Sequence, residues 1–184
     1  MVNYKNKSLW RFMLLSKRYD IETLLKQLQH LPVPKRILFW KLDKKLVNMT
    51  LKQRFELIDR YKDGDYFMST FGILTKIPKP ILYLTPVKYL FPYVNAVIKD
   101  LENRAERDKQ LEIPLTPEEK KAGIDKINHG IFGMINNIVQ VTNGVYKHED
   151  VENLSDNMVY AILKIEVDRN RIQRKLTEIY ANKK

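Results

Sequence analysis

Three histidines are the side chains best suited to metal binding or proton transfer, because the 184-residue chain contains no cysteine. His30, His129 and His148 are far apart in the sequence. None has a second histidine three or four positions away, the spacing that puts two ligands on one helix face. Glu149 and Asp150, which follow His148, are typical of a helix start, where acidic side chains are favourable. We therefore expect no histidine-based metal site.

Motifs for calcium binding, phosphate binding and nucleophilic catalysis are incomplete. Asp59, Asp63 and Asp65 surround Gly64, but they lack the Asp-x-Asp-x-Asp-Gly order and the distal glutamate of a calcium loop. The glycines within residues 130–133 have neither a preceding strand nor the lysine and hydroxyl residues of a phosphate loop. No Gly-x-Ser-x-Gly motif occurs. The sequence therefore predicts a protein that is not an enzyme and needs no cofactor.

Positive charge is concentrated in the N-terminal region of a chain whose net charge is +11. Residues 1–50 contain 11 Lys or Arg residues and 3 acidic residues. Such a region attracts polyanions, and the aromatic side chains between its cations would allow stacking on the bases of nucleic acid. The alternative is a solvated basic face over an ordinary core. The candidate polyanion-facing residues are Lys5, Lys7, Arg11, Lys17, Arg18, Lys35, Arg36, Lys41, Lys44 and Lys45.

Apolar residues recur with helical spacing along the whole chain, and no long polar-apolar alternation indicates a strand. Asp20, Thr50 and Thr116 precede such runs as N-cap residues, and Thr116 forms a capping box with Glu119. Several glycines either permit close helix packing or mark a break near Gly130. We predict an all-α protein, an irregular assembly of several helices. The predicted helices cover residues 21–31, 35–47, 51–63, 66–74, 92–111, 117–143 and 155–181.

Residues 78–94, PKPILYLTPVKYLFPYV, combine four prolines with many large apolar side chains. Because proline interrupts helices, we predict an extended apolar connector between a basic N-terminal helical cluster, residues 1–77, and a C-terminal helical module, residues 95–184. The prolines and two lysines also argue against a membrane-spanning helix. The apolar side chains must be covered by their own domain or by a neighbouring subunit. The candidate interface residues are Ile81, Tyr83, Leu84, Tyr89, Leu90, Phe91 and Tyr93.

The last predicted helix is long and carries an apolar stripe whose spacings of four and three residues are typical of a coiled coil. Arg169 occupies one position where this spacing predicts an apolar side chain. The stripe either packs against the protein itself or pairs with another molecule. It consists of Met158, Ile162, Ile165, Ile172, Leu176 and Ile179.

The C-terminal half of the chain contains LTPEEKKAGIDKINHGIFGMINNIVQVTNG, residues 115–144, followed by a short acidic link and the charged helix NMVYAILKIEVDRNRIQRKLTEIY, residues 157–180. This pattern resembles small helical structural proteins of tailed bacteriophages. The pattern is most similar to the ring or head-to-tail connector proteins of crAss-like phages, and next to phage tail-assembly chaperones. It covers residues 50–180 and involves no diagnostic motif, so it carries over no functional residue.

This resemblance implies a virion protein without cofactors, present in many copies as a ring around a portal or tail axis. Such a homo-oligomer would contact other virion proteins and would be assembled in the cytoplasm of the bacterial host. The alternative is a nucleic-acid-binding or tail-assembly-chaperone protein of the host cytoplasm. Strongly salt-dependent DNA binding would identify a nucleic-acid-binding protein. A small enzyme is the third class.

Overall fold

Helices form most of the structure, a computed structural model that describes residues 6–16, 28, 30–43, 46, 48–123 and 130–181. The prediction of an all-α protein with a long C-terminal helix is confirmed. Within these residues the exception is a short antiparallel strand pair, β1 (Arg36–Ile37) and β2 (Trp40–Lys41). The α-helices are α1 (Leu9–Ser16), α2 (Leu51–Lys62), α3 (Tyr66–Leu74), α4 (Lys79–Leu84), α5 (Val87–Asp108), α6 (Pro117–Lys121), α7 (Gly130–Val141), α8 (His148–Asn153) and α9 (Asp156–Ala181), and a 3₁₀-helix covers Lys109–Leu111.

Contacts between Cα atoms group the chain into two units. Unit 1 comprises Met1–Met49 and Gln53–Asn103, and unit 2 comprises Thr50–Lys52 and Arg104–Lys184. The predicted division of the chain into modules, with boundaries at residues 77 and 94, stays a prediction. In the observed grouping, the predicted connector segment belongs entirely to unit 1.

Unit 1 is built around an apolar core to which α2, α3, α4, α5 and the strand pair all contribute. Phe71 of α3 and Tyr93 of α5 are almost fully buried, and their ring centroids lie 5.5 Å apart. Tilted aromatic pairs of this kind add to the free energy gained by burial alone. Leu9 and Phe12 attach α1 to the same core.

Helices α2 and α3 lie where the sequence predicts them. α2 follows Thr50 and ends before Gly64, whose φ of 78° is a left-handed conformation that glycine adopts without steric cost. α3 covers the predicted residues 66–74. The helix predicted over residues 21–31 lies mostly outside the described residues.

The predicted helix over residues 35–47 is wrong, because β1 and β2 form a hairpin there. Leu38 in its turn has a φ of 51°, in the left-handed region that a leucine rarely adopts. The hairpin places Ile37 and Leu42 in the core of unit 1. Burial against distant parts of the chain therefore outweighs the local helical spacing of these residues.

The prediction that residues 78–94 are extended is also wrong, because this segment contains α4 and the beginning of α5. Pro80 lies in the first turn of α4, and Pro86 directly precedes α5. At these positions no helical hydrogen bond needs the missing N–H of proline. Pro92 alone of the four prolines lies deeper inside a helix, where it removes one backbone hydrogen bond from α5. The prolines of this segment therefore mostly mark helix starts.

The predicted capping box forms at the start of α6 in unit 2. The backbone N–H of Glu119 donates to Thr116 Oγ1 at 3.2 Å, and the backbone N–H of Thr116 donates to Glu119 Oε2 at 2.8 Å. α6 ends at Lys121, and Gly123 has a φ of 75°. The helix predicted over residues 117–143 is therefore interrupted, and the interruption begins by Gly123, before the predicted break near Gly130.

Two arginines attach the second half of α9 to α6 and to the segment that precedes it. Arg171 Nη2 donates to the carbonyl oxygens of Gln110 and Glu112 at 2.9 and 3.1 Å. Arg174 Nη2 donates to Glu119 Oε1 at 2.9 Å. One side of this 26-residue helix is thus covered by its own unit.

The buried phenol of Tyr93 predicts a loss of stability at alkaline pH. Burial raises the pKa of Tyr93 above its usual value of 10.0, and the negative charge of Asp43 raises this pKa further. Because the folded pKa is higher than the unfolded one, the stabilisation is complete below pH 10.0 and is lost as the pH rises above it. We expect Tyr93→Phe to reduce the alkaline decrease in the free energy of unfolding, measured by urea unfolding followed by tryptophan fluorescence. An equally steep alkaline loss in the variant would contradict this role of Tyr93.

Candidate functional site

Backbone hydrogen bonds attach α1 to the link between α4 and α5. The N–H of Leu9 donates to the carbonyl oxygen of Thr85 at 3.0 Å, and the N–H of Val87 donates to that of Lys7 at 2.9 Å. Pro86 lies between the two bonded positions and has no N–H that would need a partner there. These bonds fix the start of α1 beside the end of α4.

A groove with a volume of about 1090 Å³ lies between α1 and α4. Leu84, the last residue of α4, lines the groove with 78% of its surface exposed, and Trp10 of α1 is 57% exposed. Large exposed apolar patches on soluble proteins commonly mark interaction sites. The other apolar lining residues are Met13, Leu14, Tyr83 and Pro86.

A second depression, of about 440 Å³, shares Leu84 and Pro86 with the groove. Leu38 at the tip of the hairpin is 66% exposed in it, and Tyr89 of α5 is 44% exposed. Because the two depressions have residues in common, they form one continuous surface in unit 1. We call the residues that line the groove and the second depression the Leu84 surface.

The charged side chains of the Leu84 surface are all basic. Lys7 and Arg11 line the groove, and Arg36 lines the second depression. Among the described residues, no acidic side chain lines either depression. An apolar centre with cations around it favours a ligand that combines apolar groups with negative charge.

The seven candidate interface residues separate into surface and core. Leu90 and Tyr93 are buried in the core of unit 1, so the prediction that they contact another subunit is wrong for these two. Ile81 and Phe91 are partly buried and pack against the same core, and Ile81 also lines the second depression. The remaining candidates, Tyr83, Leu84 and Tyr89, line the Leu84 surface.

Of the candidate polyanion-facing residues, the structure brings Lys7, Arg11 and Arg36 to the Leu84 surface. Lys35 and Lys41 are exposed, and neither lines the two depressions. The other candidates lie outside the described residues, and they are Lys5, Lys17, Arg18, Lys44 and Lys45.

Sequence reasoning missed the apolar contribution of α1 to this surface. Trp10, Met13 and Leu14 have the spacing of an ordinary buried helix face, yet each is more than 40% exposed. The inward side of α1 carries Leu9 and Phe12 instead. The available signal was the apolar run from Leu9 to Leu15, interrupted by Arg11, which supplies more apolar side chains than one buried face of a short helix accommodates.

Within the described residues, the structure offers neither a metal site nor a membrane-spanning helix. No three His, Asp or Glu side chains of this part of the chain come close enough together to hold a metal ion. His148 Nε2 instead forms a hydrogen bond of 2.6 Å with Asn136 Oδ1, between α8 and α7. None of the described helices combines the length and the apolar character that crossing a bilayer requires.

Comparison of the chain with protein-family models, curated proteins and solved structures finds no match. A proposal about function therefore depends on the physical properties of the Leu84 surface and on the pattern of the sequence.

Proposed function

We propose that the protein is a non-enzymatic structural protein that acts through protein–protein contacts in a phage virion, as part of a tail or head-to-tail connector ring. The observation that supports this most is the Leu84 surface. Leu84 and Trp10 expose 78% and 57% of their surfaces beside further apolar side chains. Covering them would release the free energy that apolar surface gains on leaving water. Aromatic and aliphatic anchors with a polar rim are the usual anatomy of a protein interface.

The phage context of this proposal comes from the resemblance of the C-terminal half to connector proteins. That resemblance implies many copies around a portal or tail axis and a location in the virion. An all-α fold with a long C-terminal helix is compatible with such a role. Tail-assembly chaperones, the second family in the resemblance, would use a docking surface of the same kind.

The composition of the Leu84 surface favours a protein over nucleic acid. Single-stranded nucleic acid needs aromatic side chains on which successive bases stack, and duplex DNA needs polar contacts to phosphates. In addition to the stacking and phosphate contacts on which these two ligands mainly depend, Met13, Leu14 and Leu84 offer aliphatic contacts. They are typical of a surface that binds apolar side chains.

We infer that the partner is an acidic segment with apolar anchors, contributed by a different virion protein. A second copy of this chain would also bring a net charge of +11, which opposes docking on a basic surface. Acidic side chains of the partner would lie opposite Lys7, Arg11 and Arg36, while its apolar side chains cover Leu84. Such a charge distribution mainly speeds association and selects the partner.

Leu84→Asp is expected to remove the protein from its assembly without unfolding it. An aspartate at the centre of the surface places a charge where the partner buries apolar groups, and loss of such an anchor lowers affinity by about tenfold or more. The full chain would be produced together with the proteins encoded by neighbouring genes, and the complexes would be weighed by native mass spectrometry. We expect wild type in a complex of many copies and the variant outside it.

Phe132→Asp is the matched control, because Phe132 is 72% exposed, belongs to unit 2 and does not line the Leu84 surface. Circular dichroism would verify that both variants keep their helices. Retention of Leu84→Asp in the complex would contradict the proposed docking surface. Failure of wild type to join any neighbouring protein, together with strongly salt-dependent retention on duplex DNA, would support the nucleic-acid alternative instead.

A further inference from the structure

Helix α9 exposes its apolar stripe at every position except Ile162, which is partly buried, and Arg169, which is not apolar. Ile165 and Ile172 are 63% and 60% exposed, and Leu176 and Ile179 are 46% and 50% exposed. Met158, at the start of the helix, is 48% exposed. Of the two alternatives in the sequence, packing against the protein itself is therefore not observed for these residues. We call Met158, Ile162, Ile165, Ile172, Leu176 and Ile179 the α9 stripe.

The contacts of α9 within unit 2 lie mainly on the other side of the helix, where Val159 and Leu163 are buried, and they cover Ile162 only in part. Arg171, which binds the segment before α6, and Arg174, which binds Glu119 of α6, point away from the stripe by helical periodicity. Written as heptads, Met158, Ile165, Ile172 and Ile179 occupy d positions, and Ile162, Arg169 and Leu176 occupy a positions. Arg174 then occupies an f position, opposite the a/d seam. The a/d seam is thus exposed, while the contacts of Arg171 and Arg174 hold the opposite side of the helix.

We infer that the α9 stripe binds the α9 stripe of a second copy of this chain, as an antiparallel two-helix coiled coil. In the register that we assign, Arg169 of each copy lies opposite Ile172 of the other. Leu176 then lies opposite Ile165, and Ile179 lies opposite Ile162. This register forms six layers between the two helices, four of them wholly apolar, which is the pattern that knobs-into-holes packing requires.

Charges beside the seam select this register and orientation. Asp168 and Lys175 occupy g positions, and in an antiparallel pair g positions face each other. In the assigned register Asp168 faces Lys175 of the other copy, twice per dimer. A shift by one heptad would place Asp168 opposite Asp168, or Lys175 opposite Lys175, which is unfavourable. A parallel pair would place Gln173 and Tyr180 opposite these two residues and would gain no ion pair.

Arg169 fits a layer of this coiled coil because its charge is already paired at the edge of the seam. Its Nη1 lies 3.1 Å from Glu166 Oε2 on the same helix, and its side chain is 64% exposed. The aliphatic part of the side chain can cover Ile172 of the other copy while the guanidinium stays in water. A single polar residue in such a layer fixes register at some cost in stability.

This inference does not rest on the proposed function, because it concerns a different surface in a different unit. The pairing is two-fold, so it closes at two copies. A ring would need a second, head-to-tail contact in addition. The two proposals therefore fail separately: Leu84→Asp should leave the dimer intact, and disruption of the α9 stripe should leave the Leu84 surface intact.

Cysteine cross-linking tests the orientation directly, because the chain has no cysteine of its own. A mixture of Ile165→Cys and Leu176→Cys protein should form a covalent dimer on oxidation. Either variant alone should not, because identical positions lie about 16 Å apart along the axis of the antiparallel pair. Cross-linking of Leu176→Cys alone would show a parallel pair and overturn the assignment. A wild type that stays monomeric in sedimentation equilibrium up to millimolar concentration would overturn the pairing itself.

Charge reversal tests the register. Lys175→Asp should weaken dimerisation about threefold to tenfold, and Asp168→Lys should do the same, because each variant places like charges opposite each other. The double variant should regain the wild-type dissociation constant. Asp168→Lys also removes the ion pairs of Asp168 with Lys164 and Arg171 within the helix, and the double variant does not restore them. Recovery of affinity in the double variant would therefore come from the contact between the two copies. Glu178→Lys, a charge reversal at a c position, is the matched control. Equal affinity of all variants would contradict the assigned register.

Discussion

Asp156→Ala is expected to lower the free energy of unfolding of unit 2 by about 3–5 kcal/mol. The carboxylate of Asp156 is 1% exposed, and its Oδ2 accepts hydrogen bonds from Arg104 Nη1 at 2.6 Å and from Arg107 Nη2 at 2.8 Å. Alanine would remove the negative charge and leave the guanidinium of Arg104, only 6% exposed, in an environment of low polarity. The loss of this carboxylate beside a buried guanidinium is the cause of the large effect.

Arg107 contributes less to this penalty because its side chain is more exposed to water than that of Arg104. Its Nη1 donates to Asn157 Oδ1 at 2.9 Å, and its guanidinium lies 4.1 Å from the centroid of the Tyr160 ring. Its side chain is also 24% exposed to water. Arg104→Ala should therefore destabilise unit 2 more than Arg107→Ala.

Urea unfolding followed by circular dichroism, with hydrogen exchange of the α9 amides, would measure the effect of Asp156→Ala. Glu106→Ala is the control, because Glu106 pairs with Lys109 at 2.7 Å while both side chains are more than 60% exposed. An exposed pair of this kind contributes at most about 1 kcal/mol. A loss in Asp156→Ala no larger than that in Glu106→Ala would show that the Asp156 pairs do not stabilise unit 2.

Leu90→Ala and Leu84→Ala should differ strongly although they change the same side chain six residues apart. Leu90 is completely buried in the core of unit 1, so its truncation should cost about 2–5 kcal/mol through lost burial and a residual cavity. Leu84 is 78% exposed, and its truncation should change the free energy of unfolding by less than about 0.5 kcal/mol. The pair tests whether the predicted interface segment is divided into core and surface.

Tryptophan fluorescence is a suitable measurement for this pair, because Trp10 and Trp40 both belong to unit 1. Binding to the proteins encoded by neighbouring genes should show the opposite order. Leu84→Ala should weaken this binding directly, and Leu90→Ala should affect it only through folding. Equal destabilisation by the two substitutions would place Leu84 in the core and remove the basis for the Leu84 surface.

Features that depend on a few consecutive residues were predictable from the sequence. The capping box of Thr116 and Glu119 and the glycine end of α2 at Gly64 are local interactions, and both were found where predicted. The prolines of residues 78–94 were misinterpreted because the same residue can interrupt a helix or begin one. The choice depends on the backbone of the preceding residues, which the sequence does not show.

The all-α character and the periodic stripe of α9 could be read from spacing alone, because helical periodicity is a property of neighbouring residues. The Leu84 surface could not be read in this way. Its groove exists because Lys7 and Leu9 form backbone hydrogen bonds with Val87 and Thr85, which are distant in sequence. Similarly, the apolar candidates of residues 78–94 divide into core and surface only after α4 and α5 pack against the rest of unit 1. Exposure depends on contacts between remote segments, so it is decided by the tertiary structure and not by residue type.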